Sequence, residues 1–139
     1  MATTTATITL SSSDIADNAV SISNTMTLYT AGTDTGITET TGLGRKKTNS
    51  GSNTILLDSG AGIAADVTAD KSAKVYIKNI NDRGDGTKFV NILLAAVEIG
   101  RLYGGDWMLI PWSGGSGKDI EFTASDTTET TLEYTVFYE

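Results

Sequence analysis

Period-two alternation of apolar and polar side chains is the property that most restricts how this chain folds. Leu132, Tyr134, Val136 and Tyr138 alternate with Thr131, Glu133, Thr135, Phe137 and Glu139. Ile120, Phe122 and Ala124 alternate with Asp119, Glu121 and Thr123, and Ala73, Val75 and Ile77 with Lys74, Tyr76 and Lys78. Val20, Ile22, Met26 and Leu28 share another face, interrupted only by Asn24, and Ala6, Ile8 and Leu10 form a weaker one. Successive side chains of a strand point to opposite sides, so each segment reads as a strand with one face toward the core. Both Trp and most of the Tyr and Phe fall within residues 102–139, which puts the densest part of the core there.

The rest of the chain fits the same class. Residues 1–18 read as an extended or flexible N-terminal arm, low in apolar content, with a loop or one short helical turn near Ser13 or Asp14. Residues 31–53 are rich in Gly and Thr and too long for an ordinary connection. A short strand near Ile37 is expected there, and Arg45, Lys46 and Lys47 mark the segment as an interaction loop. Residues 55–57 suit a buried strand. Residues 73–94 read as a hairpin turning at the polar stretch 81–86.

Residues 87–103 admit two readings. Lys88, Asn91, Glu98 and Arg101 would line the wet side of a helix, or two short strands would meet at an irregularity near Ala95 and Ala96. The surrounding pattern favours the strands. Trp107 and Trp112 bound one apolar strand and point to opposite faces, so one ring can be core while the other is exposed. Roughly seven to nine strands at this spacing predict an all-β chain: a single antiparallel β-sandwich or jelly-roll-like domain over residues 1–139, with little helix.

Composition narrows the function classes. The chain has 139 residues, a formal charge of −7, no His and no Cys. It lacks the commonest general base, the commonest transition-metal ligand and any disulfide. No basic stripe is present to displace counterions, which argues against nucleic-acid binding. The longest apolar run, residues 92–97, is too short to span a bilayer, and no secretory leader is visible at the N-terminus. No membrane partner is expected, and synthesis is expected in a cytoplasm.

Motifs that resemble chemistry fail on their context. The stretch 60–65 matches a loose dinucleotide fingerprint but is not followed by a good helix. In residues 114–118, Asp119 follows the Lys where a phosphate-binding loop needs Ser or Thr, and Trp112 occupies the place of its first Gly. A calcium loop over 81–86 would put Arg83 at a ligand position. Asp126, Glu129 and Glu133 suit a solvated turn better than a glycosidase pair. The chain therefore reads as a non-enzyme with no cofactor and no metal.

Two parts taken together carry a resemblance. Residues 75–79, the Leu-Tyr-Gly-Gly-Asp-Trp-Met-Leu-Ile-Pro-Trp run of 102–112, and the strands at 120–124 and 132–136 resemble small β-sandwich virion proteins of tailed bacteriophages. The likeness covers residues 73–139. It implies a virion structural protein that binds capsid or tail subunits as a decoration or cement module, made in the host cytoplasm and expected as a homo-oligomer. The alternative is a receptor- or glycan-binding β module of a tail fibre. Arg45, Lys46, Lys47 and Trp112 are the candidate partner-binding residues.

Overall fold

The computed structural model describes residues 3–13, 20–30, 37, 39–48, 51–58, 73–84, 88–125 and 129–139. Among these the regular structure is entirely strand: β1 (Thr3–Ser12), β2 (Val20–Thr30), β3 (Glu39–Thr40), β4 (Gly44–Thr48), β5 (Thr54–Leu57), β6 (Ala73–Asn79), β7 (Phe89–Leu94), β8 (Val97–Tyr103), β9 (Trp107–Trp112), β10 (Ile120–Ala124) and β11 (Thr130–Tyr138). All pairings are antiparallel. One sheet runs β5-β10-β7-β8; a second runs β3-β11-β6-β9, with β4 also on β11; β1 and β2 form a separate two-stranded ribbon.

The first two sheets face each other in a sandwich-like arrangement, because the alternation read from sequence supplies each with one apolar face. Val75 and Ile77 of β6, Leu132 and Val136 of β11, Val90 and Ile92 of β7, and Ile120 and Phe122 of β10 are all completely buried. Each such side chain contributes about 1.5–3 kcal/mol by leaving water. Leu56, Leu57, Leu102 and Trp112 complete the core, with Tyr134 and Tyr138 packed against it.

Two expectations about connections change. Residues 73–94 do not form a hairpin: β6 pairs with β9 and β11, whereas β7 pairs with β8 and β10 in the opposite sheet. The polar stretch after β6 carries the chain across the sandwich, since both strands bury one face in the same core from opposite sides. The true hairpin is β7–β8, with Leu94 opposite Val97 and only Ala95 and Ala96 between them. Both alanines have positive φ, 51° and 62°. That left-handed pair matches the twist of the strands in a two-residue turn. The strand reading of residues 87–103 is thus the observed one.

Asn79 fastens the crossing. It is 3% exposed, its Nδ2 donates to the Leu102 carbonyl at 3.0 Å, and its Oδ1 accepts from Asn81 Nδ2 at 2.6 Å. Its backbone N–H donates to Asp106 O at 3.0 Å, and its carbonyl accepts from Gly105 N at 2.8 Å. Gly104 lies so close to the 82–83 peptide that a Cβ would overlap it. Arg83 stacks over Tyr103 at 5.6 Å and approaches Asp106 at 3.7 Å, which occupies the guanidinium within the corner.

The arm expected over residues 1–18 is extended over Thr3–Ser12 and pairs along its length with β2, with a register shift between Thr4 and Thr5. The loop or helical turn expected over residues 11–18 begins as strand at Ser11 and Ser12, and its remainder from 14 on lies outside the described residues, as does the turn at 60–65. Ile37 is not in a strand; β3 begins two residues later at Glu39.

Candidate functional site

The ribbon divides its side chains by chemistry. Ala6, Ile8 and Leu10 of β1 share a face with Val20, Ile22, Asn24, Met26 and Leu28 of β2, with Leu10 opposite Ile22, Ile8 opposite Asn24 and Ala6 opposite Met26. Over Thr5–Ser11 and Ser21–Thr27 the residues on the other face are all Thr or Ser, with Thr7 and Thr25 hydroxyls 2.8 Å apart. Neither strand contains a charged residue. Leu28, at the base, is buried, but Ile8, Met26, Ile22 and Leu10 are 37%, 44%, 46% and 54% exposed. An isolated two-stranded ribbon is marginal in water, and this one leaves its apolar face largely open.

At its base the ribbon meets the outer face of the second sheet. Ala6, Thr7 and Leu28 wall a groove of about 390 Å³ with Tyr76, Lys78, Trp107, Leu109, Thr135 and Phe137. Register explains why these side chains gather. Thr135 pairs with Tyr76, which pairs with Leu109, and Lys78 pairs with both Glu133 and Trp107. Trp107 is 51% exposed, with its ring 6.3 Å from that of Tyr76. Burial, and secondarily the Glu133 carboxylate, pushes the Tyr76 phenol above its ordinary pKa.

The two Trp rings settle on opposite sides, as five residues of strand require. Trp112, expected on the partner surface, is 4% exposed, and its Nε1 donates to the Lys118 carbonyl at 2.8 Å. It faces inward with Met108 and Ile110, and Trp107 is the ring that remains at the surface. An uninterrupted apolar run carries no alternation to choose between the two. The glycine loop after it has Gly114, Gly115 and Gly117 at positive φ, and the Lys118 ammonium donates to Ser113 Oγ at 3.0 Å.

The basic cluster lies on strand β4 rather than in a loop. Arg45 and Lys47 share one side of that strand and Lys46 the other, so three neighbours in sequence do not make one surface. Arg45 donates to Glu133 at 3.0 Å and Lys47 to Glu129 at 2.7 Å, so two of the charges are matched within the chain. Exposed pairs of this kind contribute under about 1 kcal/mol each.

Sequence reasoning found the members of the ribbon face but not their importance, because it treated residues 1–18 as an arm and β2 as an ordinary core strand. The complete absence of charge from Thr3–Ser12 and Val20–Thr30 was the available clue. Among the described residues no group of three His, Cys, Asp or Glu side chains is placed to hold a metal, and no helix is long and apolar enough to cross a membrane. No protein-family model matches this sequence, and no significant relative is found among curated proteins.

Proposed function

We propose that this chain is a non-enzymatic structural protein that works by attachment to other protein surfaces, as a decoration or cement-type module on the capsid or tail subunits of a tailed-phage particle. The observation that carries the reading is the ribbon. Two long uncharged strands stand apart from the sandwich with their apolar face uncovered, and such a face is completed by assembly. The particle as the setting comes from the sequence resemblance. Arg45 and Lys47, on one side of β4 and paired with Glu133 and Glu129, supply the cationic part of a contact for an acidic subunit.

Co-sedimentation with stripped particles of the encoding phage, across a salt series, tests the proposal. The parent chain is expected to pellet with the particles, and replacement of Arg45, Lys46 and Lys47 by Ala to weaken binding chiefly at low salt. A parent chain that stays in the supernatant at every salt concentration refutes it.

The exposed Trp107 beside Tyr76 favours one second reading, a glycan-binding module of a tail fibre, since exposed aromatic faces stack on sugar rings. A glycan array probed with parent and Trp107→Ala chains separates the two. Sugar binding lost in the variant would support the fibre role.

A further inference from the structure

We infer that the open face of the ribbon is a two-fold interface with a second copy of this chain, the two ribbons stacked face to face and running in opposite directions. The inference rests on the reading of the chain as an assembly module and names the partner that the ribbon takes first.

Asn24 argues for a copy over an unrelated apolar surface. It is the one polar residue on the apolar side between the Leu10–Ile22 and Ala6–Met26 pairs, exposed, opposite Ile8 and flanked along its own strand by Ile22 and Met26. Covering it with a purely apolar partner would strip the amide of water and return nothing. An Asn amide is self-complementary, since its C=O accepts and its NH2 donates. A two-fold axis through the Asn24–Ile8 level brings Asn24 against its own symmetry mate, where two reciprocal hydrogen bonds satisfy both. Every contact in such an interface is made twice.

The same axis fits the remaining side chains. With β1 over β1 and the direction reversed, Leu10 of each copy lies over Ala6 of the other, a large side chain against a small one. Ile22 lies over Met26. The end of the partner's ribbon at Val20 reaches the groove walled by Leu28 and Trp107. Stacking with the strands in the same direction would instead set Asn24 on Ile8 and leave the amide unsatisfied.

Charge selects the same arrangement. The chain carries −7, and none of that charge lies on β1 or β2. A strand of this length extends about 33 Å. Opposed ribbons therefore hold the two acidic bodies at opposite ends, roughly four Debye lengths apart at physiological salt. Parallel ribbons would press the bodies together. The ribbon footprint, about 330 Å² per copy from its length and the width of two strands, is below that of a permanent dimer, so the association is concentration-dependent.

Sedimentation equilibrium over a wide concentration range tests this with the Asn24→Asp and Asn24→Lys chains. The parent is expected to pass from monomer to dimer. Each variant alone puts two like charges on the axis and weakens the dimer at least about 100-fold. An equimolar mixture of the two places Asp against Lys and restores it. A Leu10→Thr, Ile22→Thr chain, made Thr-rich on both faces, is expected to remain monomeric, with circular dichroism confirming its fold. A parent that is monomeric throughout overturns the inference, as does undiminished dimerisation of any variant alone, or a mixture that fails to associate. A monomeric parent that still pellets with particles would sink the dimer and leave the attachment role standing. A dimer that never binds particles would do the reverse.

Discussion

Replacing Trp112 by Ala removes the largest side chain of the core and breaks its hydrogen bond to Lys118. The ring is 4% exposed, lies between the sheets, and ties the loop before β10 to β9 through its bond to Lys118 O at 2.8 Å. Large-to-small aromatic substitutions in a core cost about 3–5 kcal/mol. Loss of the indole donor removes one hydrogen bond, and Trp112→Phe isolates that part at about 1 kcal/mol. For a chain of this size the Ala substitution should lower Tm by roughly 10–20 °C. Trp107→Ala is the internal control, because a half-exposed ring on the outer face loses no core volume and should cost within about 1 kcal/mol. With only two Trp in the chain, each variant also leaves a single fluorophore. The Trp107→Ala chain should emit at blue-shifted, buried wavelengths and the Trp112→Ala chain at red-shifted, wet ones. Thermal and denaturant unfolding followed by circular dichroism gives the stabilities. Equal losses from the two substitutions, or the greater loss from Trp107→Ala, would refute the inward placement of Trp112.

Three further outcomes are expected. Exchanging Ala95-Ala96 for Asn-Gly should raise stability by about 1–2 kcal/mol in denaturant unfolding, because both positions hold positive φ that Ala adopts at a cost. Gly104→Ala and Asn79→Ala should each destabilise by about 2–4 kcal/mol in the same assay, the first by overlap with the 82–83 peptide and the second by unpairing a buried corner. The Tyr76 phenol holds its proton more tightly in the folded chain, so its contribution is complete below the unfolded Tyr pKa of about 10 and is lost as pH rises through the folded value. A Tyr76→Phe chain should therefore lose less stability than the parent when unfolding is measured on the alkaline side of that range.

Where apolar and polar side chains alternate, the amino-acid order alone marks the strand and the side chains that share its face. Ala73, Val75 and Ile77, or Ile120, Phe122 and Ala124, alternate with polar neighbours, and a period of two is a local property of extended backbone. Which strands pair depends on contacts distant in sequence. A turn-rich stretch after Asn79 reads the same whether the chain folds back or crosses to the other sheet, and the crossing depends on Asn79 reaching Leu102 and Asp106, distant in sequence. Likewise residues 107–112 carry no alternation, so the choice of Trp112 for the core waited on the pairing of β9 with β6. The basic triplet was visible, but its division between two sides of β4 and its ion pairs follow from the register on β11. The ribbon is the sharpest case. Its two-faced pattern is plain in the sequence, yet apolar alternation marks a face to be covered without saying what covers it, and here the sandwich buries Leu28 at the base and leaves Ile8, Leu10, Ile22 and Met26 exposed.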